Sequence, residues 1–371
     1  MRDRIAILGA GGFLGARLVE RSLLAGDERV VSILRYPRGL AKLSRLAPGW
    51  RRGDASKPDE LVTVLRDCRV VVNLTTGADD RILPDTAALV EACLKAGVKR
   101  LIHMSSASVY GQVPTSNLPD DAPPLPDLWM EYAREKGRAE AHLRGLMGNC
   151  GLEITVLRPG MIWGPGSIWL GGPAEALQSG TAFLLGGGRG VCNLIHVDNL
   201  SDDLIGVADF EGDSTGFFHS ADDEDLNWKQ LYTALAMEIG VDPSGIHEVE
   251  MPTWNSGLTS AFGSIGDHPW AKAVKRRMTK EFKLKVKRQI REFRKSWSSE
   301  RGQGRPGPVV TKVMWWNQGT RHRLPTTAFA KKFGRSGRMT FEEGVARGGR
   351  WLRFAGFSVD PFERSELPGH S

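Results

Sequence analysis

Nothing in these 371 residues is patterned to span a membrane as a helix or to fold in an oxidising compartment. No uninterrupted apolar run reaches the roughly 20 residues that a spanning helix needs. Cysteine is scarce: Cys68, Cys93, Cys150 and Cys192 are scattered, with no C-x-x-C pair and no matching histidine spacing. That argues against a disulfide framework and a zinc site, and it suits reducing surroundings. The opening, MRDRIAILGAGG, enters a strand-like run at once, with no secretory leader pattern. The expected location is therefore the cytoplasm. There is no internal repeat.

The chain also lacks an evenly spread basic charge. Its net charge is +7, yet residues 271–305 alone hold fourteen Lys/Arg against three Glu, so the remainder is slightly acidic. No nucleic acid partner is expected from a charge so confined. Within 271–297, Val274, Met278, Phe282, Val286, Ile290, Phe293 and Trp297 recur at spacings of four and three. This is an apolar stripe on a long basic helix. Three readings stay open for it: a packed helix of a second lobe, peripheral contact with anionic membrane, or a basic rim for a phosphorylated substrate. RGQGRPGP (301–308) then breaks the chain.

What is present is alternation. Strand-like runs RIAIL, RVVSIL, RVVVNL, RLIHM and EITVLR are spaced by helical patterns over 13–25, 58–66, 85–96 and 128–147. Continuous apolar strands separated by helices predict an α/β fold, a doubly wound parallel sheet of Rossmann type with a smaller C-terminal substrate lobe. The expected division is 1–160 for the dinucleotide domain, with 191–212 returning to it. Residues 161–190 and 213–330 form the substrate lobe, and 331–371 a closing helical segment. Gly26 and Gly97 fall where helix C-termini end, and Asp127 is placed to cap the helix over 128–147. RPGMIWGPG and LLGGGRG read as loops, and NLIHV as a buried strand.

GAGGFLG places Gly9, Gly12 and Gly15 directly after the first strand and at the opening of the first helix. The first glycine permits the turn, the second admits a pyrophosphate to the backbone, and the third lets helix and strand pack closely. Phe13 and Leu14, inside this turn, are candidate cofactor neighbours. The helix N-terminus adds unpaired N–H groups. SILRYPRG puts Arg35, with Arg38 three residues on, where an acid selecting NAD usually stands. A planar guanidinium suits a 2′-phosphate, so NADP is preferred, with NAD as the alternative. Asp54, with Ala55 after it, ends the third strand, where an acid reaches the adenine amine or caps the next helix.

MEYAREKGRAEAHL holds Tyr132 and Lys136 four residues apart on one helical face. An ammonium beside a phenol favours the phenolate, which would bring Tyr132 into use as an acid or base. GAGGFLG, the GD of 53–54, SSASVYG (105–111), YAREK (132–136), LRPGMIWGPG (157–166) and NLIHVDNL (193–200) together resemble the extended short-chain dehydrogenase/reductases, the group of the NAD-dependent epimerases and dehydratases. The resemblance spans residues 4 to about 210 and returns over 327–353. It implies an enzyme in which Tyr132 is the acid/base, Lys136 holds the nicotinamide ribose, and Ser106 hydrogen-bonds the reacting oxygen. It implies cofactor contacts at Leu74, Thr75, Pro159 and Gly160, and structural roles for His196 (a strand end) and Asp198 (a helix cap). It also implies a homodimer.

Departures narrow the reading. Ala107 and Ser108 follow Ser106, where sugar 4,6-dehydratases of this group carry an Asp-Glu pair, so that elimination is not expected. Arg35 favours a net reductase over an epimerase that keeps its NAD. The leading expectation is a nucleotide-activated sugar as substrate, with Arg189, Arg321 or Arg323 meeting its diphosphate. The alternative is an apolar alcohol or ketone of hydroxysteroid or dihydroflavonol type, lined by Trp163, Trp169, Trp254 and Trp270. A non-catalytic NADP-binding regulator is the third reading.

Overall fold

Seven of the strands form one parallel sheet. A computed structural model describes residues 3–46, 48–251, 308 and 310–357. Strands β1 (Arg4–Leu8), β2 (Val30–Leu34), β3 (Trp50–Arg52), β4 (Cys68–Asn73), β5 (Arg100–Met104), β6 (Glu153–Pro159) and β10 (Gly216–Ser220) lie in the order β3-β2-β1-β4-β5-β6-β10. Every neighbouring pair is parallel. The order reverses between β1 and β4, which opens a crevice beyond their carboxyl ends, where such sheets hold ligands. The doubly wound fold expected from the sequence is the one observed.

Alternation along each strand supplies both layers. Ile5, Ile7, Val70 and Ile102 pack under helices α1 (Phe13–Leu24) and α6 (Val197–Asp209), with Leu18, Leu200 and Leu204 facing them. Ala6, Leu8, Val71 and Leu101 point the other way. They meet Leu61 of α2 (Pro58–Leu65), Leu89 of α3 (Ile82–Ala96) and Leu143 of α4 (Glu131–Leu146). Gly97 ends α3 in the left-handed region, φ +71, as its position implied.

A second core joins α5 (Ile168–Gln178), α7 (Trp228–Glu238) and α10 (Phe341–Phe354) through Leu170, Leu177, Leu235, Val345 and Leu352. Trp163, expected in an aromatic pocket, is wholly buried in this core. Helices α8 (Lys312–Gln318) and α9 (Thr327–Phe333) precede α10. The C-terminal segment is tied down by buried ion pairs, with Arg338 2.8 Å and Arg335 3.1 Å from the Asp203 carboxylate.

Several local expectations are corrected. The two stretches read as loops each hold a short strand: β7 (Met161–Trp163) pairs with β9 (Leu194–His196), and β8 (Phe183–Leu185) with β11 (His247–Val249). NLIHV therefore joins a small separate sheet. The return to the first layer also runs past 212, because β10 is the outermost strand beside β6. Asp127 does not cap α4. The helix starts at Glu131, Met130 is its N-cap with no side-chain bond, and the exposed Asp127 lies three residues too early. The cap of α6 is His196, whose Nδ1 accepts the Asp198 N–H at 3.2 Å. Asp198 instead receives Arg17, Arg21 and Arg347. The basic stretch 271–297, with Trp254 and Trp270, lies outside the described residues. Among the described residues no helix is long and apolar enough to cross a membrane.

Candidate active site

The glycine turn is built for close approach. Gly9 sits at φ +85, a conformation that side chains rarely take. A Cβ on Gly15 would lie 2.3 Å from the Gly9 carbonyl oxygen and 2.8 Å from the Ala10 Cα, both unyielding backbone. Gly12 caps α1 without a side chain. The first-turn N–H groups of that helix thus border open space, with the positive end of its dipole behind them.

That space is a cavity of about 730 Å³. Gly9, Gly12, Phe13, Leu14 and Gly15 line it, and so do Ser106, Tyr132, Lys136, Leu74, Pro159 and Gly160. The glycine turn and the Ser-Tyr-Lys set, 91 residues apart at their nearest in the numbering (15 to 106), share one chamber. The residues present fit a dinucleotide: a turn of glycines lining the cavity with no side chains of their own, a helix N-terminus for phosphates, and polar side chains beyond.

Not every candidate reaches the cavity. Thr75 turns back, its hydroxyl donating to Asn73 Oδ1 at 2.7 Å, and Thr76 stands in the lining instead. Ala55 is buried in the core beside Leu61. Arg35 and Arg38 follow β2 outside the chamber. Arg35 Nη2 lies 3.0 Å from Asp54 Oδ1, and the Arg38 guanidinium sits 4.6 Å from the Tyr36 ring centre. Asp54 accepts the Ser56 N–H at 3.0 Å and the Ser56 hydroxyl at 2.8 Å, which closes a turn before α2. Arg189 and Arg321 are exposed, and Arg323 pairs with Asp225 at 3.0 Å. None of the three lines the chamber.

The electrostatics differ from the expectation in one respect. Lys136, 1 % exposed, donates from Nζ to the Met104 carbonyl at 2.7 Å and stands 5.9 Å from the Tyr132 ring centre. One of its N–H groups is held by that carbonyl, and the phenol answers mainly to desolvation. Burial pushes Tyr132 up to about 12, with a hydrogen bond to Ser106 pulling the other way. Burial also lowers Lys136 to about 8, opposed by the Glu140 carboxylate. Desolvation is thus the largest influence on the tyrosine.

Sequence reasoning missed the far wall. Val313, Trp316 and Asn317 of α8, with Thr320 and Leu324 after it, complete the lining together with Met130 and Ile168, while Trp169, named from the sequence as a pocket aromatic, does line it. Trp316 leans on Trp129 with ring centres 5.3 Å apart. The available signal was the apolar pair in KVMWWNQ behind Thr311, whose hydroxyl caps α8.

Residues 9–166 match the model of an NAD(P)H-binding family. The chain is 30% identical over 262 residues to a 3-diazoavenalumate denitrifying reductase of a Streptomyces species, an alignment that covers 65% of this chain and 83% of the relative. It is 24% identical over 274 residues to a UDP-glucose 4-epimerase of Vibrio cholerae, covering 68% and 78%. In fold it is similar to a dTDP-glucose 4,6-dehydratase of Bacillus anthracis in complex with NAD, at TM-score 0.67 and 15% identity over 95% of this chain and 97% of that one. With the glycine cradle and the cavity, these likenesses establish that the chain belongs to the extended short-chain dehydrogenase/reductases, the NAD-dependent epimerase/dehydratase family, and is an NAD(P)-dependent enzyme of that type.

Proposed function

We propose that the chain moves a hydride to or from a hydroxyl- or keto-bearing carbon, with Ser106, Tyr132 and Lys136 as its acid/base set. The observation that carries this reading is that all three line the same cavity as the glycine cradle. A bound nicotinamide dinucleotide supplies or takes the hydride. Tyr132 gives or takes the proton of the substrate oxygen, because its phenol sits beside Ser106. Ser106 offers that oxygen a second hydrogen bond. Lys136, anchored on Met104, holds a cation behind them. Gly9, Gly12, Phe13, Leu14 and Gly15 would hold the pyrophosphate, and Leu74, Pro159 and Gly160 the nicotinamide half. Arg35 and Arg38, both free of the core, would meet a 2′-phosphate, which favours NADP over NAD.

The first reading of the substrate is a nucleotide-activated sugar. It is supported by the likeness to the Vibrio cholerae UDP-glucose 4-epimerase and by the fold shared with a dTDP-glucose dehydratase. A second reading rests on the lining itself. Among the described residues, Lys136 is the one lysine there and no arginine joins it, while Met130, Ile168, Trp169, Val313, Trp316 and Leu324 do. Such a wall suits an apolar alcohol or ketone.

A thermal-shift panel separates the readings. NADPH is expected to stabilise the chain more than NADH at equal concentration. With NADPH present, UDP, dTDP, GDP and CDP are added in turn, then a steroid and a flavonoid. A ligand at a hundred times its dissociation constant stabilises by about 2.7 kcal/mol. A shift from one nucleotide supports the sugar reading, and a shift from an apolar ligand alone supports the second. No shift from either dinucleotide would contradict the proposal.

A further inference from the structure

Behind Tyr132 and Lys136 lies a set of buried polar groups that proton transfer does not itself need. Tyr132, Lys136 and Glu140 are spaced by four and share one face of α4. Glu140 and Arg158 are both 0 % exposed. Arg158 donates from Nε to both Glu140 oxygens at 3.1 Å and from Nη2 to Oε2 at 2.5 Å. The Ser105 hydroxyl also donates to Glu140. The last residue of β5 and the one after it are thus tied to two successive turns of α4: the Met104 carbonyl to Lys136, the Ser105 hydroxyl to Glu140. The next residue is Ser106. The far end of its turn is held as well, since Arg158 donates to the Tyr110 hydroxyl, which lies 3.0 Å from His219 Nε2.

A fully buried ion pair is weak evidence for stability, because well-packed apolar residues often replace one without loss. This pair has a placement that apolar residues would not reproduce. The charged and titratable groups around Lys136 are Tyr132 and Glu140 on its own helix and His103 on β5, with Arg158 on β6 behind Glu140. The Asp120 carbonyl and the Tyr110 hydroxyl face Arg158. Glu140 is the anion nearest the lysine in this group.

We propose that Glu140, fixed by Arg158, is a positioning residue: through Ser105 it sets the Ser106 hydroxyl against Tyr132, and it keeps a negative charge one helical turn from the Lys136 ammonium. The proposal rests on the hydride-transfer reading for its purpose, but its test needs no turnover.

The full chain is labelled with [13Cε]lysine or with [13Cζ]tyrosine, and Lys136→Met and Tyr132→Phe assign the two signals. With four tyrosines in the chain, the second spectrum is readily resolved. In Glu140→Gln the Lys136 titration midpoint is expected to fall by about one pH unit, the size typical of losing a nearby opposite charge, and Glu140→Asp should restore most of it. In Ser105→Ala the Lys136 midpoint should hold while the Tyr132 signal moves in the direction that Ser106→Ala moves it. An unmoved lysine midpoint in Glu140→Gln overturns the charge role. An unmoved Tyr132 signal in Ser105→Ala, a variant mild enough to fold, overturns the positioning role. Failure of hydride transfer in every variant, the parent included, would count against the function and leave both spectra decisive for Glu140.

Discussion

Tyr132→Phe is expected to turn over about 10²- to 10⁴-fold more slowly than the parent, the span typical of losing one acid/base group. Its NADPH affinity should stay within about twofold, because affinity of the order set by pyrophosphate contacts does not depend on a phenol. The variant keeps the ring and its packing and removes one oxygen, so the fold has no reason to change. Lys136 keeps its bond to the Met104 carbonyl, and the glycine turn is untouched. Absorbance of NADPH with a saturating keto sugar carrying the nucleotide found by thermal shift, or with the apolar ketone found by it, measures the first quantity, and NADPH fluorescence titration the second. Turnover equal to the parent's would remove Tyr132 from the chemistry.

Arg158→Met should cost about 3–5 kcal/mol of folding stability, the range for breaking a buried pair by removing one partner. Glu140 would be left wholly buried, with the Ser105 hydroxyl as its remaining bonded donor among those described. The carbonyls of Asp120 and Ala122 and the Tyr110 hydroxyl would lose a shared donor as well. Urea unfolding followed by tryptophan fluorescence gives the difference. Pairing the change with Glu140→Leu should recover most of the loss, since no unpaired charge then remains. A loss below about 1 kcal/mol in the single variant would contradict the role of Arg158 as the partner that Glu140 needs.

The parts of the site that follow from local pattern were legible in the sequence. The alternation of strands and helices predicted the sheet, because β2, β4, β5 and β6 bury both faces and so read as near-continuous apolar runs, whereas the exposed edge strand β3 does not. The glycine turn was legible because strand, glycines and helix follow one another in the chain. Tyr132 and Lys136 were legible as a helical pair. What stayed hidden depends on contacts distant in sequence. Trp316 and Val313 reach the cavity from α8, about 180 residues after Tyr132 in the numbering. The Glu140–Arg158 pair joins a helix to a strand, and neither residue stands out in EKGRAEAHL or TVLRPG. Spacing shows which groups are near, not how much water each has lost, so the burial that raises Tyr132 was not legible in the sequence. Asp127 had the chemistry of a cap, but the helix begins only at Glu131.

The most direct measurement is a crystal structure of the full chain grown with NADP. The account predicts the pyrophosphate at Gly9, Gly12 and Gly15, the adenosine 2′-phosphate at Arg35, and the nicotinamide in the cavity beside Lys136 and Tyr132. A dinucleotide bound with its nicotinamide away from Tyr132, or bound outside this cavity, would contradict it.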